Sequence, residues 1–212
     1  VPALNILPLD LAVNKARILS LKEKEDKKWV NVMALSDNKS FMKIDARIEG
    51  NQVKGHRSTV LYGQEAIEYQ TNEKHKQVSN PKNNVSQKEK LTFTNLKVKK
   101  QENDYALIEE EFDFVLQADR TNDHLYINPM LFPQLKNNPF IQTERVLPIE
   151  FPYPYKFTML STLTLPDGYE VEELPQSQTI RSEGDGLQCK YMIQKQGNTI
   201  LLNYVFHLKG YI

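Results

Sequence analysis

Between Phe41 and Glu49 the chain alternates without a break, with Met42, Ile44, Ala46 and Ile48 at even positions and Lys43, Asp45, Arg47 and Glu49 at odd ones. A period of two belongs to an extended strand with one face in a core and the other in water, because successive side chains of a strand point to opposite sides. A helix would scatter the same residues around its circumference. Gly50-Asn51 then supplies a turn, and Val53-Lys54-Gly55 with Thr59-Val60-Leu61 reads as the return strand of a hairpin that Gly63 ends.

The rest of the chain repeats this grammar. Strands are expected over Leu91–Val98, Tyr105–Leu116, Leu125–Ile127, Phe157–Leu165, Tyr169–Leu174, Leu187–Ile193 and Ile200–Leu208. Asp167-Gly168, Gly184-Asp185-Gly186 and Gly197-Asn198 punctuate them as turns. Two further short strands around a charged turn are read in Leu4–Leu35, the second at Trp29-Val30-Asn31-Val32. Gln64–Gln77 is the one helix, with Ala66, Ile67 and Tyr69 near its start, and Ser79–Lys90 lacks apolar periodicity and reads as an exposed connection. Many short strands with one short helix predict a mainly β fold, an antiparallel β-sandwich.

The 212 residues and their 40% hydrophobic content suffice for a real core in one large or two small domains, and one compact unit is the preferred reading. Lys plus Arg and Asp plus Glu are 27 each, so no overall field draws in nucleic acid or an anionic membrane. The apolar runs are too short for a membrane-spanning helix. Val1-Pro2-Ala3 has no initiator methionine, which suits a mature or excised segment.

A search for catalytic chemistry begins at the single cysteine, Cys189, with His56, His75, His124 and His207 as the available bases. Cys189 shares strand parity with Leu187, Tyr191 and Ile193, whereas His207 has parity opposite to Tyr204 and Phe206, so the expectation is a core cysteine and no catalytic residue. Glu109, Glu111 and Asp113 share one parity and read as an outward polar row in place of a cation site; no metal and no cofactor are expected. Asn38 and Asn84 each open an Asn-x-Ser acceptor pattern for glycosylation, a match short enough to arise by chance. One feature could recognise a ligand or a neighbouring domain: Phe151, Tyr153, Tyr155 and Phe157, stiffened by Pro148, Pro152 and Pro154. Aromatic planes on rigid backbone suit sugar faces or peptides, but the preferred reading is that they seal the sandwich edge or pack on a neighbouring domain.

The order of Asn138-Pro139-Phe140, Arg145, Pro148-Ile149-Glu150-Phe151-Pro152-Tyr153-Pro154 and Leu165-Pro166-Asp167-Gly168-Tyr169-Glu170-Val171-Glu172-Glu173-Leu174-Pro175 resembles the C-terminal all-β domain, of unknown function, that follows the catalytic core in bacterial transglutaminase-like cell-envelope proteins. Leu7-Pro8, Trp29-Val30 and the Gly50-Asn51 hairpin with Tyr62-Gly63 before a short helix are similar to the segment on the C-terminal side of such cores. The resemblance implies that residues 1–35 are the tail end of a papain-fold core packed on the sandwich, and that residues 36–212 are a β-sandwich accessory domain whose family-matching portion is about 125–212. It also implies a catalytic core in the same parent chain as partner, and a periplasmic or cell-surface location. The Cys, His and Asp of that core have no counterpart here. The functional expectation is a non-catalytic accessory or scaffolding module that stabilises or positions the core, with a binding module for envelope glycan or protein as the alternative.

Overall fold

The computed structural model describes residues 15–17, 19, 28–32, 37–71, 91–101, 104–134, 151 and 153–209. Ser79–Lys90, Asn84, His75, the second half of the expected helix and the stretch from Asn138 to Glu150 lie outside them.

The fold is mainly β with one short helix, and most of its strand pairs are antiparallel. The alternating segment forms β3 (Lys39–Glu49), which turns at Gly50 into β4 (Gln52–Tyr62). Its even positions are buried and its odd ones exposed from Ser40 to Ile48, as a half-buried strand requires. Two short strands, β1 (Lys15–Arg17) and β2 (Trp29–Asn31), pair with each other in a ribbon of their own, where the Arg17 guanidinium stacks over Trp29. After β4 comes the helix, α1 (Gln64–Thr71), then β5 (Leu91–Gln101) and β6 (Asp104–Gln117). A small hairpin follows, β7 (Asp119–Thr121) and β8 (His124–Tyr126), with Asn122 in the left-handed conformation its turn demands. The last four strands are β9 (Tyr155–Thr164), β10 (Gln178–Arg181), β11 (Leu187–Gln196) and β12 (Thr199–Leu208).

Eight of these strands make one continuous sheet in the order β10-β11-β12-β9-β3-β4-β6-β5. Its centre is a parallel pair, β3 against β9, with Met42 opposite Met159 and Ala46 opposite Leu163. Strand β9 is therefore central, in place of the edge position expected for the aromatic segment. Prolines do not interrupt it, because Pro154 precedes its first residue and the next proline, Pro166, follows its last.

One apolar cluster runs along the inner face across the sheet, from Phe112 and Phe114 of β6 through Val53, Ile44, Met159 and Leu202 to Ile193 of β11. Leu125, Ile127, Met130 and Phe132 cover it from one connection, Val171 and Leu174 from another. The turn at Pro166-Asp167-Gly168 and the stop at Pro175 predict a strand over Tyr169–Leu174 in that second connection. It is irregular instead: Val171 and Leu174 turn inward, the intervening glutamates stay in water, and no strand pairs with it. The nearby strand that does form, β10, is exposed at all four positions and so carries no hydrophobic pattern. Its backbone ladder to β11 is extended by Ser177 Oγ, which donates to the Ile193 carbonyl (3.1 Å) and accepts from its N–H (2.9 Å).

Candidate functional site

The four aromatic candidates are placed by β9 and the residues just before it. Tyr155 and Phe157 open the strand on the inner face, 9% and 3% exposed, Tyr153 is 9% exposed, and Phe151 is half-buried. Phe157 meets Tyr204 and Tyr155 meets Phe206, ring to ring, in the core. The rings of Tyr153, Tyr155 and Phe157 are therefore buried in this chain's own core, and for Tyr155 and Phe157 this is at a central strand and not at a sheet edge. The parallel β3 pairing makes β9 a central strand, and its inner-face rings pack in the apolar cluster beside Tyr204 and Phe206.

What these tyrosines do present is their hydroxyls, and the hydroxyls lead to α1. Tyr153 donates toward Glu68 Oε1 at 2.7 Å and Glu65 Oε1 at 3.0 Å. Tyr155 shares a 2.7 Å bond with Ser40 Oγ and accepts another of 2.7 Å from Gln134 Nε2. Burial, and then the neighbouring carboxylates, raise both phenols above their ordinary range, so both remain neutral donors. A phenol has one proton to share between two carboxylates. Glu65, the less exposed of the pair, is held above the usual carboxylate range, chiefly by burial and in part by the charge of Glu68, against the Tyr153 bond.

Asn38 fixes the start of the same helix from a distance. Its Oδ1 accepts from the Gln64 N–H at 2.9 Å, the role of an N-cap played by a residue far away in sequence. Its Nδ2 donates to the Pro154 carbonyl (3.2 Å), and its own carbonyl accepts from the Lys156 N–H (3.1 Å). The amide is thus used at both ends and buried, which disposes of Asn38 as a glycosylation acceptor in the folded chain. Asn38→Ala should lower stability by about 2 kcal/mol, since it removes a cap and strands a buried N–H. Denaturant unfolding measures this, and a change below about 0.5 kcal/mol would mean that water replaces the amide.

The second half of the cluster holds the other end of α1. Glu110 of β6 is buried on the inner face between Ile108 and Phe112, and accepts from Arg57 Nη2 at 2.7 Å and from the Tyr69 hydroxyl. Arg57 Nε donates to Thr59 Oγ1 at 3.1 Å, and the guanidinium lies over the rings of Phe112 (4.6 Å) and Phe132 (5.1 Å). Burial works against the charge on Arg57, and Glu110 opposes that effect. Ala66 and Tyr69 of α1 pack on Ile108 beside this pair. Arg57 and Glu110 are not among the expected site residues, although strand parity holds the signal: each is a charge at a core-facing position, and such a charge needs a partner.

The remaining candidates fall as parity predicts. Cys189 lies opposite Phe206, with the Tyr204 hydroxyl as a hydrogen-bond neighbour, while His207 lies on the outer face opposite Gln188 and Lys156. Cys189 and His207 therefore cannot act as a pair. Glu109, Glu111 and Asp113 face outward against Lys99, Lys97 and His56. Among the described residues no three His, Cys, Asp or Glu side chains converge as a metal site would need. The cluster under α1 ties the helix to β4, to β6 and to the residues just before β3 and β9.

This latch is sensitive to pH. An unfolded glutamate titrates near about 4.3, and the folded Glu65 titrates higher. The folded state keeps the proton through the window just above pH ~4.3, so this contribution is present at low pH and is lost as pH rises through the folded value. Glu49, Glu111 and Asp113 act in the opposite direction, because hydrogen bonds from Lys54, from Lys97, and from Asn95 with His56 hold their carboxyls low. Glu65→Gln should therefore remove one downward slope and leave the rest of the profile alone. Denaturant unfolding of both chains across this range tests it, with parallel profiles as the contrary result.

These features define a β-rich module with one helix latched to its sheet. Residues 123–212 match a family model described as a domain of unknown function with solved-structure structure (DUF3858). No curated protein and no solved structure matches the chain. The matched region holds β8 to β12, and β9 within it is hydrogen-bonded to β3 outside it, so the sheet is continuous across the boundary of the match.

Proposed function

We propose that this chain is a non-catalytic accessory module, the C-terminal β-rich part of a transglutaminase-like hydrolase, which stabilises or positions the catalytic core of its parent at the periplasmic or cell-surface side of the envelope. The observation that supports this reading is the use made of the reactive side chains. Glu65 and Glu68 of α1 are bonded to Tyr153, Arg57 and Tyr69 are bonded to Glu110, and Cys189 and His207 stand on opposite faces. A site built for turnover would aim such groups at a space where a substrate fits. The resemblance of residues 138–175 to the domain that follows transglutaminase-like cores adds to this reading.

Calorimetric titration of the chain into the separately produced catalytic core of its parent is the test. Saturable binding, with a change in the core's activity, is the expected result. Hydrolysis or cross-linking of peptides by the isolated chain would sink the proposal.

A further inference from the structure

The two halves of the outer sheet face differ in charge. On the outer face of β3, β4, β5 and β6 the lysines are matched: Lys43 with Asp45 (2.7 Å), Lys54 with Glu49 (2.6 Å) and Lys97 with Glu111 (3.0 Å). Strands β9, β10, β11 and β12 contain no Asp or Glu. The register sets Lys156, His207, Gln188 and Arg181 in one line across these four strands, and Lys190 stands one position along. Lys209 follows the end of β12. Among the described residues Lys156, Lys190 and Lys209 meet no carboxylate, and Arg181 reaches the neutral Gln188 amide. Glu183 and Asp185, on the β10–β11 connection, form no ion pair with them. The local field registers on His207, whose imidazole is held below its ordinary range by burial first and then by Lys156 and Lys209. Beside the cations lie two exposed apolar side chains, Leu160 (38%) and Met192 (50%), on either side of Asn203.

The complement of this face is carried by the same chain. The connection after β9 holds Asp167, Glu170, Glu172 and Glu173 around exposed Tyr169, with no Lys or Arg between Leu165 and Ser177. Among the described residues none of these carboxylates meets a Lys or Arg, and Glu172 has the His124 imidazole at 2.9 Å. Because Val171 and Leu174 are anchored in the inner-face core, this connection lies on the far side of the sheet from the basic row. The two surfaces cannot meet within one molecule. Strand addition is a poorer route to association, since edge strand β10 has four residues and edge strand β5 carries lysines and an irregularity between Thr94 and Lys97.

We propose that the outer face of β9, β12, β11 and β10 docks the acidic 166–174 connection of a second copy of this chain, a head-to-tail contact with Tyr169 set against Leu160 and Met192. Opposed charges would steer and register it, and the apolar side chains would supply the buried centre. Such a contact is heterologous, so it builds rings or open chains of copies.

Sedimentation of the whole chain over a concentration series tests this. At low salt the average mass should rise with concentration, and it should fall back toward one chain as salt shortens the screening length from about 10 Å at 0.1 M toward about 3 Å at 1 M. Lys156→Glu with Lys190→Glu should weaken association by more than about tenfold, as should Glu170→Lys with Glu173→Lys. All four positions are exposed, so unchanged melting curves would show that these variants fold. Mixing the two double variants should restore association, because each then offers what the other lacks. A single monomeric species at every concentration in low salt would overturn the proposal, as would association unaffected by either double variant. Retention of a sulfated polysaccharide by a chain that stays monomeric, lost in the Lys156 and Lys190 variant, would also overturn it and assign the face to another anionic partner.

Discussion

Replacing Arg57 by Met should lower folding stability by about 3 kcal/mol, at the lower end of what breaking a buried ion pair costs. The partner left behind decides the size. Glu110 is 3% exposed at its side chain, and without the guanidinium it keeps one hydrogen bond, from the Tyr69 hydroxyl. Arg57 is 18% exposed, so some water reaches the pair and the upper part of the range is not expected. Loss of stacking on Phe112 and Phe132 adds about 0.5–1 kcal/mol. For a chain of this length, the sum of about 3.5–4 kcal/mol lowers the melting temperature by roughly 7–16 °C. Arg57→Met combined with Glu110→Leu should recover most of the loss, because an apolar pair of similar volume avoids the desolvation that the ion pair must offset. A single-variant loss below about 1 kcal/mol would show that water or Tyr69 satisfies Glu110 unaided.

The ion pair also shows what the sequence reveals and what it conceals. The outward row Glu109, Glu111 and Asp113 is legible from alternation alone, and the structure pairs it with Lys99, Lys97 and His56 as a solvated face. Glu110 sits in the same run at the opposite parity, so the rule that sends its neighbours outward sends it into the core. Its partner is 53 positions away on another strand, and local periodicity carries no information at that range. The aromatic segment is obscured for the same reason. Nothing near Tyr155 signals that β3, more than a hundred residues earlier, will lie parallel to β9 and make it a central strand. Turns and strand parity, which are local, are legible: Gly50, Asp167-Gly168 and Gly197 fall at turns, and Cys189 and His207 fall on opposite faces. Tyr169–Leu174 misleads because turn signals bracket an irregular connection as they bracket a strand, while its core-facing residues, Val171 and Leu174, stand three apart and not two.

Gly55→Ala should be nearly as damaging, at about 3 kcal/mol, the upper part of the usual cost of overpacking a well-packed core. Glycine in a strand marks a bend or a close approach, and here the approach is measurable. Gly55 of β4 lies opposite Ala46 of β3 and Phe114 of β6. A Cβ added to it would stand 2.5 Å from the Asp45 carbonyl oxygen, 2.8 Å from Ala46 Cβ and 2.9 Å from Ala46 Cα. None of these atoms belongs to a flexible side chain, and β3 is held on its other side by β9, so relief requires the ladder between β3 and β4 to open. The gain in strand propensity on leaving glycine opposes this, but the whole scale spans only about 1 kcal/mol. Gly197 is the control. It has a left-handed backbone (φ +58°) and nothing within 4 Å of an added Cβ, so Gly197→Ala should cost only the backbone term of about 1–2 kcal/mol. A Gly55→Ala chain as stable as the parent would mean that β3 and β4 separate freely at this point. A large loss would place the rigid centre of the sheet at the β3–β4 contact, midway between the latch that α1 makes with β6 and the basic face of β9 to β12.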